Sequence, residues 1–241
     1  MSLADKRVLV VGLGGLGSPT ALTLAQSGVR RFTLLDEDDV EITNLHRQIL
    51  YDERDVGRPK LERAAVRLRS SGAEVDARSG RLAPSNAVAQ LEGHDLVVEG
   101  ADNFATKFLA CDASGLTGVP LVSAGAVCWS GWAMASVPGA SACLRCVFED
   151  IPQDRMDTCA DAGVAGPLLG VLGGIQAALA LRILLGDASA GGELWSFRGL
   201  DGQLRARATR RRAGCPACER RHPTLSVDLY VPRLDSAAGT P

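Results

Sequence analysis

The run Arg7-Val8-Leu9-Val10-Val11 leads straight into Gly12-Leu13-Gly14-Gly15-Leu16-Gly17. A short, β-branched apolar run of this kind is a strand buried on both faces, as in a parallel sheet. The G-x-G-x-x-G that follows has a mechanical meaning. Its glycines permit a tight turn and let backbone N–H groups approach a phosphate at the N-terminus of the next helix. Ser18 to Ser27 reads as that helix, and Arg31 to Leu35 as the returning strand, ending in Asp36. An acid about 20 residues past the glycines can accept hydrogen bonds from a ribose. The glycine motif alone is weak. Strand, glycine turn, helix, strand and acid in this order point to nucleotide binding.

The same rhythm continues along the chain. Glu74 to Arg78, His94 to Glu99 and Val119 to Ser123 read as strands, and Lys60 to Ser70, Ser85 to Leu91 and Asn103 to Leu116 as helices. Alternating β and α with short links predicts an α/β fold, a doubly wound, Rossmann-like, mostly parallel sheet. After Gly125 the texture changes. Trp132 to Val137 and Leu194 to Thr209 read as antiparallel strands, the latter turning at Asp201-Gly202, and form an antiparallel C-terminal extension. Gly166 to Gly186 is the longest apolar stretch. Gln176, Arg182 and its interior glycines make it a core or interface helix rather than a membrane span.

Two cysteine pairs, Cys143-Leu-Arg-Cys146 and Cys215-Pro-Ala-Cys218, each have the C-x-x-C spacing that lets two thiolates grip one ion. Together they supply the four sulfurs of a closed, structural zinc site. Seven cysteines without a signal peptide suit a reducing, cytoplasmic setting, where paired cysteines hold metal more often than they form disulfides. Cys111 and Cys128 read as packing residues. The net charge of -2 supplies no field for nucleic acid or an anionic membrane. The cluster Arg205, Arg207, Arg210, Arg211 and Arg212 lacks interleaved aromatics, so it reads as a solvated strand edge or a contact for an acidic partner face.

A nicotinamide-dependent dehydrogenase is the first function such a fold suggests. Three further segments argue otherwise: Asn44-Leu45-His46-Arg47-Gln48, Gly57-Arg58-Pro59-Lys60 and Ala101-Asp102-Asn103. Ligands of doubly wound sheets bind at the strand ends. Two cations and a carboxylate converging there suit a triphosphate and its magnesium better than a nicotinamide.

These motifs, with Asp36, Cys159-Ala-Asp-Ala-Gly163 and the two cysteine pairs, resemble the ThiF/MoeB/HesA family, the bacterial relatives of ubiquitin-activating enzymes. The resemblance runs from Arg7 to Cys218. It implies an adenylyltransferase that uses ATP and Mg2+, holds Zn2+, and activates the C-terminal glycine of a ubiquitin-like sulfur carrier such as ThiS or MoaD. The product would serve thiamine or molybdopterin synthesis, with sulfur from a donor such as a cysteine desulfurase. It also implies a homodimer, for which Leu168, Leu169, Val171, Leu172, Ile175 and Leu179 could supply the face, although a single buried core would use them equally well.

By the same resemblance, Gly12, Gly14, Gly15 and Gly17 form the phosphate loop and Asp36 holds the ribose. Asn44, Arg47, Gln48 and Lys60 surround the phosphates, and Asp102 holds magnesium. Arg47, Lys60 and Asp102 then carry the catalysis. Cys159 is either a residue that bonds covalently to the carrier through sulfur or a small buried side chain. Flanking Asp157 and Asp161 disfavour its thiolate, and a nearby helix N-terminus would favour it.

Three departures stand out. Only Met1 to Lys6 precede the first strand, where the family usually has an arm whose arginine reaches the partner's ATP site. Lys107 stands where an arginine is common, and is expected to matter little. Residues 1–218 read as the ATP-binding unit with its zinc site, and the tail from Glu219 to Pro241 has no assigned role. The competing classes are an NAD(P)-dependent oxidoreductase and a non-catalytic scaffold that binds the carrier.

Overall fold

Alternating side chains place the first strand between two apolar layers. In β1 (Arg7–Val11), Val8 and Val10 join one core and Leu9 and Val11 the other. Both faces must therefore be covered by helices. On the first face lie α1 (Gly17–Gln26), α2 (Lys60–Ser70) and α6 (Gly166–Leu184). On the second lie α3 (Ala87–Leu91) and α4 (Phe104–Thr117). The computed structural model describes residues 2–151, 163–220 and 224–230. Cys159 lies outside the described residues.

Among those residues the sheet has eight strands in the order β3-β2-β1-β4-β5-β6-β7-β8. The parallel part comprises β1, β2 (Arg31–Asp36), β3 (Glu74–Ser79), β4 (Leu96–Glu99) and β5 (Leu121–Val127). The chain builds outward from β1 to β3, then jumps back to lay β4 against the other side of β1. That reversal leaves a crevice at the carboxyl ends of β1 and β4, where such folds bind ligands. β6 (Ser130–Ser136), β7 (Glu193–Arg198) and β8 (Gln203–Ala208) add an antiparallel wing. All of β8 is exposed, and its Arg205 and Arg207 charge an edge that would otherwise invite strand pairing.

The long apolar helix α6 is apolar and long enough to cross a membrane, yet it is built into the core. It packs on α1, β5 and β6, with Leu168, Leu172, Ala177 and Ala180 buried. Gly173 admits Pro19, whose Cγ would lie 2.6 Å from an added Cβ. Gln176, fully buried, donates from Nε2 to the carbonyls of Glu99 (2.8 Å) and Val122 (3.1 Å) and accepts from Thr20 Oγ1 (2.9 Å). The residue that argues against a membrane is thus an internal pin across two strands and α1.

Element boundaries move where side chains take over backbone hydrogen bonds. Asn103 caps α4, its Oδ1 accepting the Thr106 N–H at 2.9 Å, so the helix begins one residue later than expected. β4 begins at Leu96 rather than His94, because the Asp95 carboxylate takes the Arg7 N–H (2.8 Å) and Lys6 Nζ (2.9 Å). β5 runs on to Val127 because it pairs as a hairpin with β6. At that turn Cys128 is exposed with φ of +50°, which corrects its reading as a packing residue. Cys111 is buried in α4 as expected. The short α5 (Leu144–Phe148), which begins inside the first cysteine pair and runs past it, was not legible as a helix.

Candidate nucleotide site and metal centre

The glycine turn is held closed by the absence of side chains. Gly12 has φ of +83°, and a Cβ there would meet Ala101 N at 3.0 Å. A Cβ on Gly17 would fall 1.9 Å from the Gly12 carbonyl oxygen, so that position admits no other residue without opening the turn. Leu13, inside the turn, is fixed from both sides. Its N–H donates to Asp36 Oδ2 at 2.6 Å, and its carbonyl accepts from Ser18 Oγ (2.7 Å) and Tyr51 Oη (2.9 Å). Asp36 Oδ1 accepts the Asp38 N–H at 2.9 Å. Burial pushes the Asp36 carboxyl above the usual carboxylate range, opposed by those two N–H groups and by Lys60.

A cavity of about 810 Å3 opens beyond the turn, at the carboxyl ends of the parallel strands. Gly12, Gly14, Gly15, Asp36, Arg47, Gln48, Lys60 and Asp102 line it, so one space gathers most of the residues singled out in the sequence. Gly17 and Asn44 are not among the lining residues. Asn44 acts through Arg47, accepting from Nη2 at 2.5 Å, while Arg47 Nη1 donates to the Thr43 carbonyl at 3.2 Å. Lys60 is 4% exposed, and its Nζ is 2.9 Å from Oδ2 of the exposed Asp38. Gln48 Oε1 is buried in the wall without a hydrogen-bond partner among the described residues. Such an orphaned polar atom fits a polar ligand better than an apolar one.

Part of the cavity lining is apolar. Phe104, Trp132, Phe148 and Tyr230 line it, with the Trp132 and Phe148 rings 5.1 Å apart. Charge near the turn is mixed: Arg47 and Lys60 share the wall with Asp36, Glu37, Asp38 and Asp102. Cations and carboxylates so interleaved fit a polyphosphate accompanied by a divalent cation, for which exposed Asp102 offers a carboxylate.

Lys107 holds a buried place beside the cavity. It is 3% exposed, and its Nζ lies 3.0 Å from Glu99 Oε2, itself fully buried. The signal was present in the sequence. A carboxylate closing an apolar strand, as Glu99 does, requires a cation partner when buried.

The four paired cysteines converge. Cys143 Sγ lies 3.8 Å from Cys146 Sγ and 3.5 Å from both Cys215 Sγ and Cys218 Sγ, and Cys146 and Cys218 are 3.5 Å apart. Tetrahedral zinc with Zn–S near 2.3 Å separates its sulfurs by about 3.8 Å. The donor set and its dimensions therefore fit zinc. The Arg212 N–H donates to Cys146 Sγ at 3.3 Å, an outer contact of the kind that fixes a metal ligand. Burial raises the Cys218 thiol to about 11, so metal binding must expel a proton there.

This cluster also connects to the cavity wall. Arg145, between Cys143 and Cys146, makes a two-pronged pair with Asp112 of α4 at 2.7 and 2.8 Å. Tyr230 Oη donates to the same carboxylate at 3.0 Å. Part of the tail, residues 224–230, therefore packs on α4 and contributes Tyr230 to the cavity, a contact no local pattern foretold.

Comparison with known proteins agrees with this architecture. The chain is 40% identical over 222 residues to the sulfur carrier protein ThiS adenylyltransferase of Escherichia coli (strain K12), covering 90% of this chain and 87% of that protein. It is 41% identical over 243 residues to the adenylyltransferase and sulfurtransferase MOCS3 of Bos taurus, covering 99% of this chain but 53% of that protein. The chain thus spans about half the length of MOCS3. Among solved structures, Escherichia coli MccB with ATP superposes with a TM-score of 0.76 at 22% identity, over 90% of this chain and 68% of that one, a likeness of fold. The model of the ThiF family matches residues 1–217, and the chain belongs to that family.

Proposed function

We propose that this chain is an ATP-dependent adenylyltransferase that activates the C-terminal glycine of a ubiquitin-like sulfur carrier protein. The observation that carries this reading is the single cavity joining the glycine turn, Asp36, Arg47, Gln48, Lys60 and Asp102, in a chain 40% identical to a ThiS adenylyltransferase. The carrier's carboxylate oxygen attacks the α-phosphorus of ATP, and the bond from that phosphorus to the bridging oxygen of pyrophosphate breaks. Negative charge grows on the phosphoryl oxygens and the leaving group, so positioning and charge stabilisation are the main tasks.

In this reading Asp36 and the Gly12–Gly17 turn hold the nucleoside and its phosphates. Arg47, set by Asn44, and Lys60 stabilise the developing charge, with Gln48 beside them. Asp102 holds magnesium, which would neutralise phosphate charge. Zinc at Cys143, Cys146, Cys215 and Cys218 is structural, and residues 1–218 form the ATP-binding unit. The apolar part of the cavity lining suits the carrier's tail rather than the triphosphate.

In the next step a persulfide sulfur from a donor such as a cysteine desulfurase attacks the acyl carbon and AMP leaves; a thiol then reduces the resulting acyl disulfide to the carrier thiocarboxylate, for thiamine or molybdopterin synthesis in the cytoplasm. Cys159 is the candidate for a covalent sulfur link. A Cys159→Ser variant that still forms the adduct by mass spectrometry excludes it. A homodimer through the outer side of α6, where Val171 is exposed, completes the proposal.

ATP–pyrophosphate exchange with magnesium, with and without carriers ending in Gly-Gly, tests the reading. Carrier-dependent exchange supports it. Binding of NAD(P)H without ATP turnover favours the oxidoreductase, and carrier binding without turnover favours the scaffold.

A further inference from the structure

We propose that the buried Glu99–Lys107 pair is a positioning device that fixes the Ala101 peptide and thereby aims Asp102 into the nucleotide cavity. This rests on the reading of Asp102 as the magnesium-binding carboxylate. Glu99 ends β4 and is fully buried; Lys107 lies in α4 and is 3% exposed. Lys107 Nζ lies 3.2 and 3.0 Å from the two Glu99 oxygens, 2.7 Å from the Ala101 carbonyl and 2.5 Å from the Ala124 carbonyl. Glu99 Oε1 also accepts the Ala101 N–H at 2.7 Å. The peptide groups on either side of Ala101 are therefore gripped in opposite senses, the N–H by the acid and the carbonyl by the base.

Asp102 follows directly, and the next residue, Asn103, is fixed by its cap on α4. Asp102 thus hangs between two anchored points. Its own side chain is exposed and, among the described residues, has only a long contact, 3.5 Å from Asn103 Nδ2. The backbone is set while the carboxylate stays open to a ligand. The far side of the clamp is anchored as well: Ser123 Oγ donates to Glu99 Oε2 at 2.5 Å, and Gln176 Nε2 to the Glu99 carbonyl at 2.8 Å. The clamped segment also abuts the glycine turn, since added Cβ atoms on Gly12 and Gly100 would meet Ala101 N at 3.0 Å and Gly17 N at 2.7 Å.

Stability alone gives no reason for a charge pair here. A buried ion pair is commonly matched or exceeded by apolar residues of similar volume. What an apolar pair cannot do is hold the peptide groups on both sides of Ala101. The pair's distinctive output is therefore geometry at Asp102.

The test compares ATP affinity with and without magnesium by titration calorimetry, alongside thermal melting. In the wild type, magnesium should strengthen ATP binding. In Glu99→Gln/Lys107→Met, which removes both charges together, this strengthening should fall at least five-fold while metal-free ATP affinity changes less than two-fold. Asp102→Asn should lose the strengthening altogether. If the double variant keeps it and Asp102→Asn does not, the clamp is overturned and the role of Asp102 stands. If Asp102→Asn keeps it too, both fall. A purely structural pair would weaken the two affinities in step, which also overturns the proposal. Should the double variant not fold, Glu99→Gln alone is read by the same ratio; an intermediate loss supports the clamp and an unchanged ratio overturns it.

Discussion

Two lysines line the same cavity, and replacing each should do harm for a different reason. Lys60 is paired at 2.9 Å with Asp38, whose side chain is 65% exposed. Lys60→Met therefore leaves a carboxylate that water can solvate, and such pairs contribute about 0–1 kcal/mol. Lys107 is paired with Glu99, whose side chain is 0% exposed. Lys107→Met strands a buried charge, which costs about 3–5 kcal/mol. In catalysis Lys60 should dominate, because removing one preorganised group that faces developing charge costs about 2.7–4 kcal/mol, or about 100- to 1,000-fold in rate. Denaturant unfolding and carrier-dependent ATP–pyrophosphate exchange measure the two effects separately. Lys60→Met should unfold within about 1 kcal/mol of wild type and lose nearly all exchange. Lys107→Met should lose several times more stability. The reasoning fails if the order of stabilities is reversed, or if Lys60→Met exchanges at a near-normal rate.

Zinc removal should loosen the C-terminal part first. Cys215→Ser should abolish bound zinc by elemental analysis and cost about 3 kcal/mol or more, lowering Tm by about 6–12 °C; an unchanged Tm would make the cluster dispensable to the fold. Gly17→Ala should lose ATP binding and stability together, because its Cβ would meet the Gly12 carbonyl at 1.9 Å. Gly14→Ala, whose Cβ meets nothing nearer than Gln48 Nε2 at 3.8 Å, should keep the fold. Calorimetric titration and melting of both variants check this contrast. His94, held by Thr33 Oγ1 at 2.8 Å, is kept below the usual imidazole value of 6.5, first by burial. The unfolded chain therefore binds this proton more readily, so stability is full above pH 6.5 and is lost as pH falls from 6.5 toward the lower folded value. His94→Gln should flatten the Tm profile between pH 7.5 and 5.5 relative to wild type; parallel profiles would remove His94 as the cause.

What the sequence discloses here is what depends on neighbours along the chain. Arg7–Val11, the glycine turn and Asp36 form a local unit, and the helix over Lys60–Ser70 keeps its expected bounds. The cysteine pairs were legible because a metal leaves a spacing. Side-chain direction was not. Asn44 stands in the same motif as Arg47, yet it does not line the cavity and accepts a hydrogen bond from Arg47. The acid that closes β4 signalled a buried cation partner, but not that Lys107 would also reach the carbonyl of Ala124 in β5. Cys128 looked apolar, but the hairpin turn of β5 and β6 carries it outward. Tyr230 reaches the cavity with its hydroxyl bound to Asp112, 118 residues earlier.

The pin made by Gln176 bears on how the protein is made. Every residue proposed for nucleotide chemistry, Cys159 apart, precedes Lys107, whereas the helix that caps their sheet begins at Gly166. Thr20 meets its Gln176 partner across 156 positions. During synthesis the phosphate turn and its strands leave the ribosome with one apolar face still bare. Domains generally mature as units while the chain emerges from its N-terminus, and exposed surface in that interval promotes aggregation. A nascent chain ending before α6 would carry every residue proposed to contact phosphate and no completed site to hold them. The first half must wait for the second, and ATP binding becomes a property that the ribosome delivers late.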